Sequence, residues 1–251
     1  TQRTSSAASD VYKRQGIESL IENLSIELSK THEVLVLADQ YDKKNDSDHD
    51  TKYDQNISIS RISGIKFFRK RKKLSELKKL LSSNKISHVI ADSWKSFELT
   101  IDTLKSLSIP SICLAHGNEL IVKNSSKKLR VISTLNKVTH IVTNSNFTLS
   151  LVKDIGITNQ KITCIYPGAQ NTIHLNEEII SNINGQPVIT TLARLEKRKG
   201  HAYILSVIAK LKVEHPNILY IIAGSGIEFE NLKKITLELD IIKTVSYTHL
   251  T

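Results

Sequence analysis

Helical spacing and short apolar runs take turns along most of this chain. Ile17, Leu20, Ile21, Leu24 and Leu28 share one face of a helix predicted over 16–30. Residues 33–38 form an apolar run, predicted as a buried strand. A polar, Asp-rich loop over 39–55 leads to a second strand at 57–62. Further strands are predicted at 87–92, 110–115, 138–143 and 162–166. Between them the spacing predicts helices from 66 onward, over 95–106, over 125–136, and from Ser145 or Asn146 to near Gly156. Ser and Asn cap helices because their side-chain oxygens accept a free first-turn amide. A second series opens with a strand at 187–192 and a helix over 200–215. It continues with a strand at 218–223, the turn Gly224-Ser-Gly226 and a helix to Asp240, and a third strand is expected from Ile241. Buried strands alternating with helices imply parallel sheets covered by helices. The chain is therefore predicted to be α/β, with two Rossmann-like domains at 16–168 and 187–244, the second cut off. A polar, Asn-rich linker at 169–186 joins them.

Residues 1–15 and 245–251 fall outside this rhythm. Both resemble translated adapter sequence, and the chain contains no Met. The expectation is a non-native leader and tail around an internal fragment that lacks the first strand of its first domain. Composition adds little to this picture. With 39% hydrophobic and 24% charged residues the chain is an ordinary globular one. No apolar run approaches the roughly 20 residues that span a bilayer. Cys113 and Cys164 lie in strand-like runs and read as buried thiols of a cytoplasmic protein, not as a disulfide or a metal pair.

Charge changes the picture more. The formal net charge is +10, and residues 66–79 hold eight basic residues against one acid, Glu76. Phe67 and Phe68 open that segment, and Leu74, Leu77, Leu80 and Leu81 follow at helical spacing. A helix of this kind is a solvated face, a contact for an anionic membrane surface, or a grip on nucleic acid. An interleaved aromatic platform, as single-strand binders use, is missing.

Candidate chemistry gathers at strand ends. The run at 187–192 passes into Ala193-Arg-Leu-Glu-Lys-Arg-Lys-Gly200 and then into a helix. Arg194 and Lys199 thus stand where open α/β sheets bind ligands, beside a helix N-terminus that attracts phosphate. A guanidinium that forks onto two oxygens and an ammonium point charge suit a diphosphate. The same residues also suit a solvated basic loop. Gly224-Ser-Gly226 is followed by Glu228 and Phe229, so it lacks a third glycine in the phosphate-binding spacing. It reads as a tight strand-to-helix turn before it reads as a phosphate loop.

Several of these segments resemble one family. Gly16-Ile-Glu-Ser-Leu-Ile-Glu-Asn-Leu with Thr31-His-Glu-Val-Leu-Val-Leu is similar to the opening of family-four retaining glycosyltransferases, which have the GT-B fold. Ala115-His-Gly-Asn-Glu119 resembles their His-Gly-x-Glu turn. Thr143-Asn-Ser-Asn-Phe147, Gly156 and Lys161-Ile-Thr-Cys-Ile-Tyr-Pro-Gly168 resemble the block that follows, with Tyr-Pro-Gly in place of x-Asn-Gly. Residues 191–200 look like their Gly-Arg-Leu-x-x-x-Lys-Gly loop, with Ala193 for the first Gly, and 219–226 like the next strand and turn. The resemblance spans most of 16–240.

It implies transfer of a sugar from a nucleotide sugar to a lipid-linked or glycan acceptor with retention of configuration. Arg194 and Lys199 would hold the donor diphosphate and stabilise the leaving nucleotide. His116 would meet the reacting sugar or acceptor, with Glu119 nearby. Gly16 would be the remnant of a glycine-rich loop near the donor phosphate. Asp92 and Trp94, ending a strand on the same edge, would line the acceptor cleft. Neither a protein nucleophile nor a metal cofactor is expected, and nucleic acid is not an expected partner. The expected location is cytoplasmic, peripheral to the inner membrane face through 66–79. The family's paired-glutamate motif is not found, so the fragment itself is expected to be inactive. The rivals are a two-Rossmann sugar-nucleotide epimerase and a basic nucleic-acid-binding protein.

Overall fold

A computed structural model describes residues 16–40, 50, 53, 56–83, 86–157, 161–168 and 186–248. The leader 1–15, most of the linker at 169–186 and residues 249–251 lie outside the described residues. The chain divides into two units, at residues 1–169 and 170–251.

The first unit opens with α1 (Gly16–Ser29), β1 (Val34–Asp39) and β2 (Ile57–Ile62). The two strands pair in parallel, Val34 against Ile57 through Asp39 against Ile62. They form a sheet of their own, so β1 is half-buried along its whole length where the apolar run predicted full burial. After α2 (Lys66–Ser83) come β3 (Val89–Ala91), α3 (Trp94–Phe97), α4 (Ile101–Ser106) and β4 (Ser111–Ala115). The unit ends with α5 (Ser125–Leu135), β5 (His140–Thr143), α6 (Asn146–Asp154) and β6 (Lys161–Cys164). Strands β3, β4, β5 and β6 stand side by side in that order, all parallel.

Two helix starts have a clear local cause. Asn124 caps α5 by accepting from the Lys127 amide at 2.9 Å, and Ser145 caps α6 through the Thr148 amide at 3.2 Å. Gly156, at φ +103°, ends the α6 turn in the left-handed region that favours glycine. The helix expected over 95–106 is broken in two. The Thr100 amide bonds Phe97 O, three residues back, while its hydroxyl takes the Ser96 carbonyl at 3.1 Å. A hydroxyl that captures the carbonyl four residues back bends a helix. Trp94, Phe97, Ile101 and Leu104 still point inward, into a core with Val131, Leu135 and Ile141. Burying one such side chain contributes about 1.5–3 kcal/mol.

The second unit holds β7 (Val188–Leu192), a 3-10 turn (Lys197–Lys199), α7 (His201–Glu214), β8 (Leu219–Ala223), α8 (Phe229–Glu238), a second 3-10 turn (Ile242–Thr244) and β9 (Val245–Thr248). The sheet order is β7-β8-β9, all parallel. The third strand begins at Val245, not at Ile241. Ile241 is instead buried beneath the turn that follows α8, its amide bonded to Thr236 O. Residues 245–248, set apart from the pattern in the sequence, pair with β8. Tyr247 packs edge-on against Phe229, and its hydroxyl lies 2.7 Å from that of Thr236. The core here is Leu195, Leu205, Ile208, Tyr220, Ile222 and Leu232.

Candidate functional site

In the first unit the sequence-derived residues meet at the carboxyl ends of β3 and β4, which are neighbours in the sheet. Asp92 follows β3 and His116 follows β4. The His116 ring donates from Nε2 to the Asp92 carbonyl at 2.9 Å, since a carbonyl only accepts. The His116 amide donates to Glu119 Oε1 at 2.6 Å, closing the turn. Gly117 sits at φ +111°, and a Cβ there would lie 3.3 Å from Thr148 Oγ1 on α6. A glycine therefore lets this turn pack on the first turn of α6. The Asp92 carboxylate accepts from Ser96 Oγ at 2.6 Å.

Trp94 is placed differently from expectation. It is only 2% exposed and belongs to the core, with the Arg130 guanidinium 5.9 Å over its ring. Its spacing with Phe97 and Ile101 makes it a packing residue, so it does not line an open cleft. Gly16 opens α1, and the residues before it lie outside the described ones. Cys113 is buried behind the His116 turn. Burial pushes its thiol far above the ordinary range, and the charges of Asp92 and Glu119 add to that. Cys164 is half-buried rather than buried, and both thiols are free.

In the second unit β7 ends at Leu192, and the chain crosses the end of β8. Ala193 N donates to Ala223 O at 3.1 Å, and Leu195 N to Ser225 O at 2.9 Å. The Glu228 amide donates back to Leu195 O at 3.0 Å. This close approach needs both glycines of the turn. A Cβ on Gly224 would lie 2.1 Å from Ala193 O, and one on Gly226 2.4 Å from Leu195 O. The Gly-Ser-Gly turn thus carries the backbone of the Arg194 segment.

Arg194 and Lys199 both lie exposed on this segment. The structure adds a carboxylate between the cations. Glu196 takes Arg194 NH1 on Oε1 at 2.9 Å and Arg198 Nε on Oε2 at 2.7 Å. The bond from Arg198, with Arg194 and Lys199 close by, holds the Glu196 carboxyl below the usual carboxylate range. Gly200, at φ +75°, precedes α7, whose first turn has no side-chain cap. First-turn amides have no partner within their own helix and point out of its end, the arrangement that binds anions. His201, on that first turn, donates from Nε2 to the Arg194 carbonyl at 3.1 Å. Glu196 and His201 are not singled out by the sequence, where the cations alone stand out. The signal for His201 was a polar residue on the apolar stripe it shares with Leu205 and Ile208.

The basic helix α2 presents two faces. Leu77 is buried and Leu81 packs on the core. Arg69 and Lys73 are tied to Asp39 at 3.2 and 2.8 Å. The outer stripe carries Phe68, Arg71, Lys72, Lys78 and Lys79, all exposed, and Ile65 just before the helix is 74% exposed. The side chains of Lys66, Phe67 and Lys70 lie outside the described residues. Among the described residues no helix is long and apolar enough to cross a membrane. None of the described His, Cys, Asp and Glu residues gather in threes that would hold a metal ion.

Two parallel-stranded α/β units, each with its polar residues at strand carboxyl ends, make up a GT-B fold. Sequence comparison agrees. The family described as Glycosyltransferase Family 4 matches residues 14–170, and that described as Glycosyl transferases group 1 matches 175–249. The chain belongs to Glycosyltransferase Family 4. Among curated proteins none matches it by sequence. Among solved structures it is similar to Anabaena Alr3699/HepE in complex with UDP, with a TM-score of 0.63 at 13% identity over 87% of this chain and 70% of that one. It is also similar to the apo form of the lipopolysaccharide outer core galactosyltransferase WaaB, with a TM-score of 0.56 at 13% identity over 87% of this chain and 68% of that one. At such identities the likeness speaks for the fold.

Proposed function

We propose that this chain is part of a retaining glycosyltransferase that uses a nucleoside-diphosphate sugar and a lipid-linked or polysaccharide acceptor. The observation that carries the reading is the Arg194–Lys199 segment. It carries Arg194 and Lys199 on the stretch that runs into the uncapped N-terminus of α7, on backbone fixed by the Gly224-Ser-Gly226 turn. Two cations and free amides match a diphosphate. They would also stabilise the negative charge that develops on the departing nucleotide, the role a metal ion plays elsewhere. Glu196 holds Arg194 until a diphosphate arrives. In the first unit, with Nε2 committed to the Asp92 carbonyl, His116 has Nδ1 left for a sugar hydroxyl, and Glu119 closes the turn behind it. Retention then follows from positioning and leaving-group stabilisation, without a protein nucleophile.

A cytoplasmic membrane face is the proposed place of action. The outer stripe of α2 sets Ile65 and Phe68 at one end and four cations along its length. Apolar tips beside Lys and Arg suit an anionic bilayer, at about 1 kcal/mol for each cation that reaches the surface. The solved HepE complexes contain UDP and UDP-glucose, which supports starting with uridine donors.

The test, made on the full-length protein, is transfer from a panel of nucleotide sugars, UDP-glucose first, to lipid extracts and polysaccharide acceptors, with the product anomer assigned by NMR. Transfer with the donor's anomeric configuration kept is expected; an inverted product would overturn retention. Sedimentation with phosphatidylglycerol and with neutral vesicles tests the membrane face. Equal binding to the two would leave α2 as a solvated helix.

A further inference from the structure

A guanidinium can meet a diphosphate only as accurately as its own main chain is held. Around Arg194, the flanking amides of Ala193 and Leu195 are bonded to Ala223 at the end of β8 and to Ser225 in the turn after it. The carbonyl of Arg194 itself accepts from the neighbouring Glu196 amide at 2.9 Å and from one side chain, His201, through Nε2 at 3.1 Å. His201 is 2% exposed and stands on the first turn of α7, on the same stripe as Leu205 and Ile208. Its Nδ1 is buried, with no partner among the described residues.

That unpaired nitrogen is informative. Burying a polar atom without a partner costs stability, whereas an apolar side chain of similar size would suit the stripe. The one bond that the ring makes in return is to the Arg194 carbonyl. The carbonyl can only accept, so the proton is fixed on Nε2 and the ring orientation with it. We infer that His201 is a positioning residue for Arg194: it ties the end of β7 to the start of α7 and so sets where the guanidinium meets the donor diphosphate. This rests on the proposed reading of Arg194 as a diphosphate ligand. His201 touches no substrate in this scheme and acts only through Arg194.

The full chain, titrated with UDP and followed by phosphorus NMR, tests this with four variants. Arg194→Ala should weaken UDP binding. His201→Leu should weaken it about tenfold, near the worth of one net hydrogen bond. His201→Gln, whose amide reaches the position of Nε2, should restore it. The double variant Arg194→Ala/His201→Leu should bind no more weakly than Arg194→Ala alone, because both losses are the same loss. Thermal melts of each variant separate folding from binding. Should His201→Leu not fold, His201→Asn, too short to reach the Arg194 carbonyl, takes its place. Wild-type affinity in His201→Leu, or additive losses in the double variant, would overturn the inference while leaving Arg194 in its role. Unchanged affinity in Arg194→Ala would instead remove the donor-site reading, and the inference with it.

Discussion

Replacing Gly226 by Ala should damage the second unit far more than a one-methyl change normally does. The added Cβ would lie 2.4 Å from Leu195 O and 2.8 Å from both Leu195 C and Leu195 N. Ordinary contact begins near 3.4 Å, so something must move by about 1 Å. Everything the methyl meets is backbone, so no flexible side-chain end can give way. That backbone is also bonded on both sides, Leu195 N to Ser225 O and Glu228 N to Leu195 O. A shift of this size weakens both bonds, at about 1 kcal/mol each, and adds overpacking strain of about 1–3 kcal/mol. The expected loss is on the order of 3–5 kcal/mol. Gly168→Ala is the control: nothing lies within 4 Å of its Cβ position, and its φ is outside the left-handed region. It should change stability by under about 0.5 kcal/mol. Urea unfolding read by hydrogen exchange on peptides from each unit gives both numbers. A Gly226→Ala chain as stable as Gly168→Ala would refute the close-approach argument.

Three further outcomes follow from the same geometry. Burial, the largest cause, raises the phenols of Tyr220 and Tyr247 above their ordinary value, although hydrogen bonds to Thr191 and Thr236 oppose it. The fold therefore holds those protons more tightly than the unfolded chain, so this stabilisation is whole below about pH 10 and lost above it. Melting temperature should fall as tyrosinate absorbance rises, and free ionisation near pH 10 with no loss of melting temperature would contradict this. At pH 8 a thiol reagent should label Cys164 first and Cys113 only on unfolding, because Cys113 is buried and its thiolate disfavoured; equal rates would argue against the burial. Ser145→Ala should cost about 1 kcal/mol by uncapping α6, with Ser145→Asp largely restoring it; an unchanged urea midpoint in Ser145→Ala would count against the cap.

The sequence carried the strands well because each is a short apolar run with polar punctuation. It carried the strand-end placement of His116 and Arg194 for the same reason. What it hid were decisions made by single polar atoms. The Thr100 hydroxyl breaks a helix whose apolar spacing runs on unbroken from Trp94 to Leu104. That spacing also shows why Trp94 turns inward, although its position after β3 suggested a cleft. Ile241 is apolar enough to open a strand, yet a 3-10 turn buries it and delays β9 to Val245. Glu196 lies in plain view between cations, but only its two bonds mark it as their shared counter-ion. Likewise the two glycines of the 224–226 turn read as a tight bend, and only the distances to Ala193 and Leu195 show what the bend supports.

The most direct measurement is the rate of sugar transfer by Arg194→Ala and Lys199→Ala variants of the full-length protein. If these cations stabilise charge on the departing nucleotide, they bind the transition state better than the bound donor. Each substitution should then lower kcat by a factor on the order of 100 to 1,000, as loss of one oxyanion-type donor does, while donor KM changes less. The assay follows nucleotide release and sugar transfer separately, with His116→Ala as a variant that should reduce transfer and leave nucleotide affinity nearly intact. Wild-type kcat in both Arg194→Ala and Lys199→Ala would contradict the donor-site assignment outright.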